Sequence, residues 1–299
     1  MSSIKPVFPR HEQWQVAHFA TQPFQDLLSA FHSSLVDTAS WPRVSDYAKY
    51  LTLHELTENP FRFLAQRADG SLLSKDSANS KCAEVAPRYY EQIIFEDKCI
   101  PTRACNWHDF YNACIWRLFP QTKRQLNTLH MQDIADYGVS PRTSRRDRIT
   151  HFDECGVVLA YSDGEIPELL AQHQWQDAFH THRQQWGKTV RAYVFGHANY
   201  EMLMRPHIGL TGKWLGIKVA DAFWQSSLSQ QYGYLDGAVS EYAATEQSFR
   251  VKPHFKPLPL LGVPGWWAAN QQVDFYHNRH YFRPKRSNSP SDIKASSTR

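Results

Sequence analysis

Asn106-Trp-His-Asp-Phe-Tyr-Asn-Ala-Cys-Ile-Trp-Arg-Leu-Phe119 carries two side-chain stripes on one helical period. Trp107, Phe110, Tyr111, Cys114, Ile115 and Leu118 recur at helical spacing and define one apolar face. At about 100° per residue, His108, Asp109, Asn112 and Trp116 form a second stripe beside it. A solvated face would carry Lys and Glu there, whereas an imidazole, a carboxylate, an amide and an indole are the chemistry of a pocket wall. Pro120 marks the helix end.

Working outward, the pattern predicts one or two helices over 11–36, broken near Pro23, and a short helix capped by Asp46. Residues 66–86 are polar, with an Asp69-Gly70 turn signal. Residues 89–95 alternate imperfectly, as a strand would. A helix over 121–137 ends at Gly138 and carries His130 within an apolar row. Pro141 to Arg148 reads as a basic loop, and 149–161 as a β-hairpin turning at Asp153 to Gly156. Helical patterns follow over 166–185, 190–204 and 210–243. Residues 253–264 are Pro-rich and extended, with a Pro264-Gly265 turn. The expectation is an α+β, mostly helical single domain with a small β-hairpin or sheet. Its expected bounds are 11–284, between a loose arm (1–10) and a disordered tail (285–299).

The chain has 299 residues, 42 % of them hydrophobic, ten Trp and a formal charge of +4, so a wholly disordered chain is excluded. Its five Cys are odd in number and contain no CxxC, which argues against a disulfide framework or a four-Cys zinc site. No secretory h-region is visible, and no run approaches the roughly 18 apolar residues of a membrane span. These features suit a cytoplasmic protein without a membrane partner. Walker A, GxGxxG, HExxH, GxSxG and zinc-finger patterns are all missing.

Three constellations carry chemistry. His108, Asp109 and Asn112 suit acid/base work or metal ligation; the structural alternative is a buried His bonded to a carbonyl, with Asp109 paired to a base. His197 and Glu201 sit four apart, so on one helix they meet, either as a catalytic or ligand pair or as a satisfied core pair. Arg145 and Arg146, beside Asp147 and Arg148, suit an anion clamp, with Trp116 as a further substrate contact. Asp153 and Glu154 follow as further metal candidates, although Asp153 with Gly156 also fits ordinary turn chemistry.

The segments NWHDFYNA (106–113), FPQTK (119–123) with Asn127, Arg146-Asp147 through Thr150-His-Phe-Asp-Glu-Cys-Gly156, FGHA (195–198) and LGVPGW (261–266) resemble an uncharacterised proteobacterial domain-of-unknown-function family. The resemblance spans about 36–283 and implies no activity. The leading reading is an enzyme, a hydrolase or group transferase acting on a small anionic substrate, phosphorylated or nucleotide-like. It would use the His/Asp/Glu pocket with a divalent metal drawn from His108, Asp109, His197, Glu201, Asp153 and Glu154. The alternative is a non-enzymatic nucleic-acid binder using Arg142 to Arg148, Lys252, Lys256 and the segment from Arg283 to Arg286 on phosphates, with Trp and Tyr stacking on bases.

Overall fold

The computed structural model describes residues 13–30, 38–51, 61–66, 88–245, 248–250 and 255–285. The expected arm, the 69–70 turn and all but the first residue of the expected tail lie outside these. The architecture is α+β and mostly helical, built around one contiguous hydrophobic cluster. The N-terminal part supplies α1 (Phe24–Ala30), α2 (Tyr47–Tyr50) and β1 (Arg62–Gln66). Then come α3 (Tyr90–Asp97), β2 (Cys99–Arg103), α4 (Trp107–Leu118), α5 (Pro120–Tyr137) and α6 (Ser144–Cys155). The remainder is β3 (Gly156–Tyr161), α7 (Glu165–Ala171), β4 (Val190–Val194), α8 (His197–Leu203), β5 (Thr211–Lys218), α9 (Leu228–Ala244) and β6 (Lys256–Pro259).

Helix α4 is the centre of the core. Asn106 caps it by accepting from the Asp109 amide at 3.0 Å. Nine of its twelve residues are buried, so it is sheathed nearly all round rather than amphipathic. Trp107 stacks on Trp14 with ring centroids 4.9 Å apart, and Trp41 closes the cluster at 4.6 Å from Trp107. Helix α5 begins with Pro120 at its first turn. Its free amides are satisfied from another helix: the buried Asp236 of α9 accepts from Gln121 N (2.9 Å) and Thr122 N (2.8 Å).

β1 and β2 pair in parallel. The larger sheet runs β4-β3-β5-β6, with β3 antiparallel to β4 and parallel to β5, and β6 antiparallel on the outer edge of β5. Val157, Val158, Leu159 and Ala160 of β3 are wholly buried, as befits a strand covered on both faces. The extended segment arrives as β6 and packs Leu258, Leu260 and Leu261 into the core. At Pro264-Gly265, Gly265 has φ +86°, as a type II turn requires.

Several local expectations are corrected. Of residues 89–95, expected as a strand, Tyr89 is the extended N-cap and the rest are helical, because Tyr90, Ile93 and Ile94 follow the three-four spacing and Lys98 ends the helix in the left-handed region. The expected basic loop and the first arm of the expected hairpin are together α6. Arg145, Arg146, Ile149 and Phe152 form its buried face, and Thr143 caps it by accepting from the Arg146 amide at 3.1 Å. Only 156–161 is a strand. Residues 190–204 divide into β4 and α8, and 210–243 contains β5 before α9. The 166–185 pattern breaks after α7, with one π turn over Asp177–Thr181.

Candidate functional site

Three elements converge beside β3. His108 lies in the first turn of α4, Glu154 in the last turn of α6, and His197 opens α8 immediately after β4. The join between α6 and α8 is tight because Gly196 has no side chain. A Cβ there would fall 2.4 Å from the Glu154 carbonyl oxygen and 2.5 Å from the Cys155 nitrogen. Gly196 and Phe195 both donate backbone hydrogen bonds to Gly156 O, at 2.7 and 3.1 Å.

The converging atoms form a triangle. His108 Nε2 and His197 Nε2 are 3.0 Å apart, His197 Nε2 and Glu154 Oε2 are 3.4 Å apart, and His108 Nε2 and Glu154 Oε2 are 3.8 Å apart. His197 is buried, while the side chains of His108 and Glu154 keep 28 % and 34 % of their surface, so the triangle opens towards solvent. Among the described residues this is the one cluster of three His, Cys or carboxylate groups close enough to share an ion.

The two imidazoles are oriented from behind. Glu201 of α8 stands 2.8 Å from His108 Nδ1. A carboxylate only accepts, so Nδ1 carries the proton and Nε2 turns towards the triangle. His197 Nδ1 makes no hydrogen bond of ordinary geometry, and its neighbours are the backbone of Asp153 and its carboxylate at 3.9 Å. Burial lowers the pKa of His108, but the hydrogen bond to Glu201 and the charges of Glu154 and Glu201 outweigh it and hold it above its ordinary value. Burial drives His197 well below the usual imidazole range, with Lys123 and His108 adding to the effect. Two imidazole nitrogens 3.0 Å apart cannot both present lone pairs, so in the metal-free protein a proton lies between them. Burial also raises the Glu154 carboxyl.

Behind the triangle lies a buried polar knot. Lys123 Nζ donates to both carboxylate oxygens of Asp153, at 2.6 and 2.8 Å, and to Asn112 Oδ1 at 2.9 Å. Asn112 donates in turn to Tyr90 OH at 3.0 Å. Trp116 lies over this ammonium at 5.3 Å and packs on Phe61. Tyr90, Trp116, Lys123, His130 and Asp153 line a chamber of about 20 Å³, room for about one water molecule.

The structure thus brings together His108, His197, Glu154 and Glu201, with Asp153 and Asn112 one layer behind. It separates the others. Asp109 is engaged by Arg103, whose guanidinium bonds it at 2.7 and 3.0 Å and whose amide donates at 2.6 Å, so it faces away from the triangle. Glu201 meets His108 rather than His197, although His197 and Glu201 lie four apart on α8. Arg145 pairs with buried Asp133 at 3.1 Å, and wholly buried Arg146 donates to Val139 O at 2.7 Å and Tyr89 OH at 3.0 Å. Arg142 bonds Asp147 and Thr150, and Arg148 bonds the carbonyls of Phe249 and Arg250. Arg145 and Arg146 are therefore internal architecture, not a free anion clamp, while Arg142 stays exposed. Trp116 is buried in the second layer instead of walling an open cleft.

Lys123 is a site residue that the sequence reasoning above misses. Its signal was present: Lys123, Leu126, Asn127 and His130 follow helical spacing, so polar groups occupy the buried face of α5.

The family described as "Protein of unknown function (DUF3025)" matches residues 78–286. The chain belongs to this family. All of the triangle and its supporting layer fall inside the matched residues, and the match begins later than the 36 expected from the motifs. Searches of curated proteins and of solved structures returned no match. Among the described residues no helix is long and apolar enough to cross a membrane.

Proposed function

We propose that this DUF3025 protein is a metal-dependent hydrolase whose His108, His197 and Glu154 hold one divalent ion. The observation that carries the reading is the size of the triangle. A point equidistant from its three corners lies about 2.0 Å from each, in their plane, and zinc bonds to His and carboxylate ligands run about 2.0–2.2 Å. An ion lifted slightly towards the open side therefore meets all three with one position left free, the arrangement of a catalytic rather than a structural zinc site. The ion would supply Lewis acidity to an oxygen on that open side. His108 and His197 bind through Nε2, Glu154 adds a negative charge, and Glu201 fixes the His108 tautomer.

The small-anion reading drew on Arg145 and Arg146, whose guanidinium groups are bonded to Asp133, the Val139 carbonyl and Tyr89, so the metal reading is offered without a substrate class. Elemental analysis and zinc titration of the untagged full-length chain test it. One ion per chain, lost together with hydrolysis of activated esters in both His108→Ala and His197→Ala, is the expected result. A chain that takes up no divalent ion at neutral pH overturns it.

A further inference from the structure

We infer that Lys123 is the positioning residue of this metal centre, setting the spacing between its ligands from a buried point behind them. The inference rests on the metal reading above and goes beyond it. Lys123 bonds Asn112, one helical turn beyond His108 on α4, and Asp153, the residue before Glu154 on α6. One ammonium thus ties the backbones that carry two of the three ligands. The third ligand, His197, has Asp153 as the neighbour of its Nδ1. Tyr90 extends the tie to α3 through Asn112, so four helices meet at one buried cation.

Stability alone does not account for this arrangement. Taking an ammonium and a carboxylate out of water costs about as much as their attraction returns, and apolar replacements of such pairs are often neutral or stabilising. What the pair supplies is fixed geometry. Its bonds set the approach of α4 to α6, and the His108–Glu154 separation follows from that approach.

The test uses the full-length untagged chain with zinc as the probe. Lys123→Met with Asp153→Leu removes both charges together, so no buried ion is stranded. The expected result is a cooperative melt close to wild type without metal, but zinc affinity reduced about 10–100-fold, the usual cost of losing outer support. Lys123→Arg, which keeps a bidentate cation against Asp153, should recover part of that affinity. Nitrogen NMR of the His108 and His197 imidazoles in the metal-free chains gives a second readout. The shared-proton signature should be present in wild type and lost in the double variant. Unchanged zinc affinity in the double variant would overturn the inference. Should wild type bind no zinc, the metal reading fails by itself, and the NMR decides positioning: retention of the signature in the double variant overturns it, and loss upholds it.

Discussion

Removing Glu201 isolates the contribution of the group behind a ligand. Its carboxylate accepts from His108 Nδ1 at 2.8 Å, a charge-assisted bond, and its side chain is 25 % exposed. Hydrogen bonds to charged groups contribute about 1.5–3 kcal/mol, and partial exposure places this one at the lower end. Glu201→Ala should therefore weaken zinc binding by about 1.5 kcal/mol, roughly tenfold. Glu201→Gln keeps an acceptor and loses the charge, so its deficit should be smaller. The sign of the pH effect follows from the same contact. Glu201 helps to hold the His108 pKa above its ordinary value. Without it, protons compete less with the ion, and the deficit should shrink as pH falls. Competition against a chromophoric chelator between about pH 6 and 8 measures both effects, within the range where imidazole titrates. Equal affinities for Glu201→Ala and wild type throughout would refute the argument that Glu201 orients His108.

The remaining predictions concern the frame. Burial lowers the His130 pKa to about 4; stability from its neutral form is complete above the unfolded value near 6.5 and lost as pH falls through 4. The loss is at most about 3 kcal/mol, and urea melts of His130→Gln across that window should show a flatter slope. Burial raises the Glu91 carboxyl to about 7, so its contribution has the opposite sign: it is present below about 4.5 and lost as pH rises through 7. Glu91→Gln should accordingly be the more stable chain at pH 8, by up to about 3 kcal/mol in denaturant titration. Ile115 is wholly buried on α4, and Ile115→Ala should cost about 2–5 kcal/mol through cavity formation, read by calorimetry. Gly196→Ala forces a Cβ against the Glu154 carbonyl and should abolish zinc binding; wild-type affinity in that variant would show that the α6–α8 join is not tight.

What was legible in the sequence followed from periodicity and chain punctuation. Helix α4 was readable from its apolar spacing and α5 from Pro120 and Gly138, because one strong period and clear ends coincide there. Helix α6 is hidden because its buried face carries Arg145 and Arg146, and two arginines ordinarily mark solvent; Asp133, Tyr89 and the carbonyls of Gly138 and Val139, all outside α6, make their burial tolerable. β4 and β5 were obscured because Tyr193 and Trp214 fit either period over so short a span. At the site, the chemistry of His108, His197, Glu154 and Glu201 was nameable from residue type. The pairing was not: Glu201 lies four positions from His197 but bonds a histidine 93 positions away. Nothing local distinguishes those two outcomes until the fold is known.

The missing side chain at Gly196 also bears on which ion the cluster would accept. Because the backbones at Glu154 and Gly196 touch, the main chains that carry Glu154 and His197 are held at a fixed approach. An aperture so framed discriminates by radius. With ligand bonds of about 2.1 Å an ion would sit about 0.7 Å above the three donor atoms, as tetrahedral coordination requires. Calcium, with bonds near 2.4 Å, would ride about 1.3 Å above them and would need several more oxygen ligands than the triangle offers. Discrimination against calcium would then start from a backbone contact at a position that carries no chemistry of its own, whereas magnesium, with bonds of about 2.0–2.1 Å, would pass on size and be set apart from zinc by its demand for octahedral oxygen ligands.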